Sequence, residues 1–200
     1  MKLTTNTKAI DFNAFTSERI PFALSRLRGS KILLSFYRNG SCEWSNFRLN
    51  LLKKYRDMFI AKNLNVISVF ESLPKDILPF AGRSEAPFYI IADPMSLLYD
   101  LYAVETSEKK VKSAIASGAT LQIFEERNTA GFASAQQEVK NFFRLPADFL
   151  IDENFIIRRL RYTNNIVDFL PVREIVRWTN HLHFFPQQQN HFTEILKYTN

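Results

Sequence analysis

The sequence predicts a three-layer α/β domain in which helices cover both faces of a central mixed β-sheet. Short apolar runs without helical spacing alternate with segments whose apolar residues recur every three or four positions. A hairpin pattern and one more helix follow these alternating units. Strand and helix alternation indicates parallel strands joined by crossovers, and a hairpin adds antiparallel strands, so a mixed sheet is expected.

The first half of the chain predicts three strand and helix units. Apolar runs predict buried strands over residues 31–37, 65–70 and 87–93. An amphipathic helix is expected to begin at or just after Cys42, because the apolar period there changes to that of a helix; its apolar positions are Trp44, Phe47, Leu51, Tyr55, Met58 and Phe59. Two further helices are predicted over residues 74–81 and 95–102.

The second half predicts an insert, a hairpin and a last core helix. Residues 105–143 are polar and alanine-rich, and we interpret them as an inserted helical segment. Strands are expected over residues 147–152 and 154–162. Pro171 suits the first position of a helix that extends through Trp178.

Composition favours one domain of ordinary size. The 200 residues are 46% hydrophobic, which allows a buried core and excludes a disordered or fibrous chain. We expect a single domain over residues 1–200, with a core at about 10–178 and a C-terminal arm at 179–200 that packs on its own domain or on a second subunit of a homodimer. His181 and His183 in this arm lack a neighbouring cysteine or carboxylate, so no metal site is expected there.

The charge and hydropathy pattern argues against two classes of partner, with nucleic-acid binding kept as an alternative. The net charge of +6 is spread along the chain, whereas nucleic-acid binders concentrate basic residues on one face or arm. No apolar run approaches the roughly 18 residues of a membrane span, and the N-terminus lacks a secretory pattern. We therefore expect no nucleic acid, no membrane and a cytoplasmic location.

The single cysteine, Cys42, is the most reactive type of side chain in the sequence and the first candidate for a catalytic residue. One cysteine excludes an internal disulfide and any zinc site built from several cysteines. Its predicted place between a buried strand and a helix N-terminus favours a thiolate, because unpaired N–H groups and the helix dipole stabilise an anion there. The alternative is a buried and inert cysteine, which is common among free cysteines.

Four ordered stretches, residues 36–46, 68–72, 86–102 and 145–152, carry a family resemblance. They resemble the alkyl hydroperoxide reductase/thiol-specific antioxidant (AhpC/TSA) family of thioredoxin fold. The resemblance implies a thioredoxin-like fold with Cys42 as the catalytic nucleophile. It also implies that Leu145-Pro146 holds the fold's cis-proline against the sulfur, so the expected substrate-binding residues are Trp44, Ser45, Leu145 and Pro146. The alternatives are that Pro146 only begins a strand and that Trp44 is a core residue.

The motif around Cys42 departs from the family pattern. Ser45 stands where the second cysteine of the motif would be, and Glu43 replaces the proline that follows the first cysteine. The threonine and arginine of the true peroxidases are also missing. Arg38, four residues before Cys42, is the expected electrostatic helper, and Arg144 is a second candidate; the alternative for both is surface solvation.

Two functions remain open from the sequence. The first is a peroxiredoxin-like thiol oxidoreductase of one-cysteine type, which acts as an antioxidant by reducing peroxides or exchanges disulfides with an external thiol such as glutathione or a thioredoxin-like protein. No metal or organic cofactor is implied. The second is a catalytically degenerate family member that serves as a binding or regulatory module.

Overall fold

The computed structural model describes residues 1–116 and 141–180. Within them one seven-stranded sheet runs through the molecule in the order β2-β1-β5-β4-β3-β6-β7. Its strands are β1 (Asn13–Thr16), β2 (Pro21–Ala23), β3 (Lys31–Phe36), β4 (Leu64–Phe70), β5 (Phe88–Ala92), β6 (Ala147–Ile151) and β7 (Ile157–Tyr162).

The central strands β3, β4 and β5 are parallel, and the flanking pairs on both sides are antiparallel. The described helices are α1 (Glu43–Lys53), α2 (Arg56–Ala61), α3 (Pro74–Ala81), α4 (Leu97–Leu101), α5 (Glu108–Ala116) and α6 (Val172–Asn180), with a 3-10 turn at Leu24–Leu27. The predicted α/β class with a mixed sheet is confirmed.

Two apolar layers fill the space on the two faces of the sheet. Helices α1, α2, α3 and α6 cover one face through buried side chains that include Leu49, Leu52, Phe59, Ile77 and Trp178. Helix α4 and the N-terminal segment cover the other face, with Phe12, Leu24, Leu98, Tyr99 and Tyr102 among the buried residues. Alternate side chains of β3 enter the two layers, as the two-residue period of a strand requires.

The helix after Cys42 differs from the prediction in length and in its buried face. It ends at Lys53, and α2 begins at Arg56 after a turn, so the predicted continuous pattern is divided between two helices. Helix α1 buries Leu49 and Leu52, whereas Phe47 and Leu51 are only half-buried. Apolar spacing alone misplaced the core face because Ser45, Asn46 and Arg48, which are polar, are also buried on this helix.

The prediction of a cis peptide bond between Leu145 and Pro146 is wrong. The cis peptide bond in the described residues is Ala86-Pro87, and the chain enters β6 through a trans bond before Pro146. Hydrogen bonds from two other parts of the chain hold the two residues before β6. The Leu145 N–H donates to the carbonyl of Glu105, and the Pro146 carbonyl accepts from Thr163. The alternative reading of Pro146, as a residue that leads into a strand, agrees with the structure.

Several predictions fall partly or wholly outside the described residues. Helix α5 occupies the beginning of the predicted 105–143 insert, and residues 117–140 lie outside the described part. So do residues 181–200, which include His181, His183 and nearly all of the predicted arm. The division of the chain into one domain with an insert and an arm stays a prediction.

Candidate functional site

Cys42 lies at the junction that the sequence predicts, as the N-cap residue of α1. Its main chain is held on both sides, since its N–H donates to the Asn39 carbonyl at 3.1 Å and its carbonyl accepts the Asn46 N–H at 3.0 Å. The side chain makes no capping hydrogen bond, so the sulfur is left for other contacts. Only 8% of Cys42 is exposed. Unpaired N–H groups at a helix N-terminus attract negative charge.

Arg38 places positive charge directly on this sulfur. The Nη1 atom of Arg38 is 3.7 Å from the Sγ atom of Cys42, and the arginine is buried. The Nη2 atom donates a short hydrogen bond to the carbonyl of Phe142, whose ring centroid lies 5.1 Å from the guanidinium carbon. The proximity that the sequence suggested is therefore present, and the catalytic role of Arg38 stays a prediction.

The loop between β3 and α1 is fixed by close packing on α3. The Gly40 N–H donates to the Ser72 hydroxyl at 3.0 Å, and the Gly40 carbonyl accepts from the Asn46 amide at 2.7 Å. A Cβ atom at position 40 would lie 2.2 Å from the carbonyl oxygen of Asp76. Only glycine allows this approach, and the approach fixes the two residues before Cys42.

Apolar side chains cover the sulfur. Cys42 belongs to a small buried group, apart from the two main cores, that contains Trp44, Val111, Leu145 and Ile166. Phe143 and Val167 pack against this group. Burial among these side chains removes water from this side of the sulfur, which strengthens its interaction with the Arg38 guanidinium. The sequence did not single out Val111 or Ile166, which are ordinary apolar residues far away along the chain.

The four predicted substrate-binding residues fall into two pairs. Trp44 and Leu145 contact the Cys42 group, as just described, and stay candidates for substrate contact. Ser45 is 1% exposed, and its hydroxyl accepts the main-chain N–H of Arg38 at 3.2 Å. The Pro146 carbonyl is occupied by the Thr163 hydroxyl at 2.8 Å and by the Thr163 N–H at 3.3 Å. The polar group of each of the latter two residues is thus already bound within the protein.

Arg144, the second predicted helper, binds a carboxylate instead of the sulfur. Its Nε and Nη2 atoms donate to Glu71 at 2.8 and 3.0 Å, and its Nη1 donates to the Val104 carbonyl at 2.7 Å. Both side chains of the ion pair are less than a tenth exposed. Surface solvation, the alternative for Arg144, is therefore wrong, since a partner 73 residues away along the chain buries it.

The pKa directions in this pair follow from the same contacts. Burial alone raises the pKa of Glu71, but hydrogen bonds from Arg144 and Ser96 and the charge of Arg144 outweigh it and hold the pKa below its ordinary value. Burial acts to lower the pKa of Arg144, and Glu71 raises it above its ordinary value. The pair is fully charged at neutral pH. Sequence reasoning missed Glu71 as a site residue, although a carboxylate directly after a buried strand is a usable signal.

Comparison with known families decides the classification. The family model of the AhpC/TSA family matches residues 5–160. The chain belongs to the AhpC/TSA family. No curated protein matches it. The family model covers most of the chain, and the matched part includes Cys42 and Ser45.

Solved structures of thioredoxin fold are similar to this chain. The reduced 2-Cys peroxiredoxin of Plasmodium vivax is 18% identical with a TM-score of 0.59, and the match covers 88% of this chain and 79% of that one. The yeast mitochondrial 1-Cys peroxiredoxin is also 18% identical, with a TM-score of 0.58 and coverage of 88% and 74%. The DsbE-type thiol:disulfide interchange protein of Chlorobium tepidum is 20% identical, with a TM-score of 0.57 and coverage of 89% and 96%. At these identities the matches establish the thioredoxin-like fold alone.

The described residues also limit what the site can hold. Over residues 1–116 and 141–180, no three histidine, cysteine or acidic side chains converge as metal ligands. In the same part of the chain, no helix has both the length and the apolar character of a membrane span. Among the described residues, the groups that contact Cys42 include the Arg38 guanidinium and the apolar side chains of its small buried group.

Proposed function

We propose that this AhpC/TSA protein is an antioxidant thiol oxidoreductase of one-cysteine type, with Cys42 as the nucleophile and Arg38 as its electrostatic partner. The observation that carries the proposal is the 3.7 Å approach of Arg38 Nη1 to Cys42 Sγ at a helix N-terminus under an apolar cover. Family membership and the presence of one cysteine support the same reading. Trp44 and Leu145 would contact the substrate, and Ser45 would position the main chain of Arg38.

The proposed cycle begins with a two-electron oxidation of the sulfur. The Cys42 thiolate attacks the outer oxygen of a hydroperoxide, so an S–O bond forms and the O–O bond breaks. The released alkoxide or hydroxide takes a proton and leaves as an alcohol or water, and the sulfur becomes a sulfenic acid. Arg38 stabilises the thiolate before the step and donates toward the peroxide oxygens during it.

External thiols complete the cycle, because the chain has no second cysteine. One external thiol condenses with the sulfenic acid to a mixed disulfide and releases water. A second external thiol attacks this disulfide, forms an external disulfide and returns Cys42 to the thiol. Disulfide exchange with a partner protein would use the second half of this cycle. Glutathione or a thioredoxin-like protein in a reducing cytoplasm is the proposed reductant, and the 179–200 arm is a proposed homodimer contact.

A binding or regulatory module without turnover is the second candidate. The low exposure of Cys42, 8%, favours it, because a nucleophile has to meet its substrate. The absence of a second cysteine agrees with this candidate as well.

The two candidates are separated by trapping the oxidised sulfur. The protein is treated with a stoichiometric hydroperoxide in the presence of dimedone, and the adduct is detected by mass spectrometry. We expect one dimedone adduct in the wild type, slower formation in Arg38→Ala and none in Cys42→Ser. Glutathione should then support continued peroxide consumption by the wild type. A wild type that forms no adduct and consumes no peroxide would favour the module without turnover.

A further inference from the structure

The segment at residues 141–144 is attached to one carboxylate at both of its ends. Asn141 at one end donates from Nδ2 to Glu71 Oε1 at 3.3 Å, and Arg144 at the other end makes the two hydrogen bonds to Glu71 described above. The Arg144 N–H closes the turn by donating to the Asn141 carbonyl at 3.2 Å. Glu71 therefore attaches both ends of the 141–144 segment to the end of β4.

The carbonyl in the middle of this segment is the one that receives Arg38. Phe142 lies between the two attached ends, and its carbonyl accepts the hydrogen bond from Arg38 Nη2. Glu71 also reaches Arg38 through the main chain, since the Glu71 N–H donates to the Arg38 carbonyl at 3.0 Å. One residue thus fixes both the backbone of Arg38 and the acceptor of its guanidinium.

Glu71 itself is fixed on its other side. Ser96, at the start of α4, donates a short hydrogen bond to Glu71 Oε1. Arg144 lies over the ring of Tyr99, with its guanidinium carbon 4.8 Å from the centroid. Buried ion pairs of this kind give little net stability but define one geometry, because a single broken partner leaves an uncompensated charge. The pair is therefore suited to setting a position.

The charges are also kept apart. Among the described residues, Arg38 makes no salt bridge, whereas Glu71 has Arg144 as its ionic partner. The Arg38 guanidinium contacts the Phe142 carbonyl and the Cys42 sulfur. A thiolate gains most from a cation that is not already paired.

We propose that Glu71, Arg144 and Asn141 are positioning residues for the thiol chemistry: they hold the Phe142 carbonyl so that Arg38 keeps its Nη1 atom on the Cys42 sulfur. This inference rests on the proposed function. It assigns a role to a buried ion pair that does not contact the sulfur. The reactivity of Cys42 would then depend on Glu71, directly after β4, and on the segment before β6.

The test follows the rate of Cys42 alkylation by iodoacetamide as a function of pH, which needs no turnover. Asn141→Ala, Glu71→Gln and Arg144→Lys should each lower the alkylation rate at neutral pH, by less than the roughly tenfold loss expected for Arg38→Ala, because the guanidinium remains but is held less firmly. Glu174→Gln removes an exposed ion pair with Arg159 and is the matched control, with an unchanged profile. Circular dichroism checks that each variant is folded. If Glu71→Gln and Arg144→Lys unfold, Asn141→Ala alone tests the inference, because it leaves the ion pair intact.

A double-mutant cycle separates positioning from general stability. In an Arg38→Ala background, Arg144→Lys and Asn141→Ala should cause no further change in the profile, because their effect acts through Arg38. Folded variants that keep the wild-type profile, or effects that add to Arg38→Ala, would overturn the inference. If the wild type itself alkylates like a free thiol, the proposed function fails together with the inference. If the wild type alkylates faster than a free thiol and the variants share its profile, the inference fails while the proposed function stands.

Discussion

The guanidinium of Arg38 and the sulfur of Cys42 lie 3.7 Å apart across one turn of chain between β3 and α1. Both residues are buried, so this contact is made largely out of water. Among the described residues, the Cys42 sulfur and the Phe142 carbonyl are the groups that the Arg38 guanidinium contacts.

Removal of this charge should slow the reaction of Cys42. We expect Arg38→Ala to lower the rate of alkylation at neutral pH by about tenfold, because it removes the cation that lies against the reacting sulfur. Arg38→Lys should keep part of the rate, since the charge remains while the hydrogen bond to Phe142 is altered. Stopped-flow or quenched alkylation at several pH values measures this. Equal rates in all three proteins would show that the contact has no electrostatic effect.

A methyl group at position 40 should damage both stability and reactivity. Gly40→Ala would place a Cβ atom 2.2 Å from Asp76 O, so the loop before Cys42 has to move, at a cost of about 1–3 kcal/mol. Urea denaturation measures the free energy of unfolding. Gly29→Ala is the control: it has open space and a φ of +83°, so it should cost about 1–2 kcal/mol through backbone strain without changing Cys42 alkylation.

The ion pair of Glu71 predicts a defined loss of stability in acid. The pKa of Glu71 is held below its ordinary value of 4.5, so the folded state binds its proton less readily than the unfolded state. Its contribution to the free energy of unfolding is complete above pH 4.5 and is lost as the pH falls through the folded pKa. The stability difference between wild type and Glu71→Gln should therefore shrink below pH 4.5. A difference that stays constant down to pH 2 would contradict this account.

Truncation of an apolar side chain that packs beside Cys42 should give reagents better access to the sulfur. Leu145 is 1% exposed in the Cys42 group, and Leu145→Ala should lower the free energy of unfolding by about 2–4 kcal/mol through the cavity it leaves. The same cavity should let bulky maleimides react faster with Cys42, while the rate with small iodoacetamide changes less. Leu24→Ala removes an equally buried leucine from the core on the other face and should cost similar stability without the change in maleimide rate.

Local patterns predicted strands β3 to β7, whereas the short strands β1 and β2 were not predicted. Helix α3 has the bounds that the sequence predicts, and Arg38 and Cys42 are close because they belong to one short loop. The partner of Arg144 could not be predicted, because Glu71 is 73 residues away and only the packing of β4 against the approach to β6 brings the two together. The peptide geometry before Pro146 was mispredicted for the same reason, since Glu105 and Thr163 hold it from distant parts of the chain.

The place of Ser45 has a consequence for how an oxidised form of this protein would persist. Its hydroxyl accepts the main-chain N–H of Arg38 inside the protein, and an alcohol oxygen, unlike a thiol, cannot form a disulfide with Cys42. In the proposed cycle no internal reaction then removes the sulfenic acid. The lifetime of the oxidised protein is set by how often an outside thiol reaches it, and that lifetime would vary inversely with the thiol concentration of the surroundings.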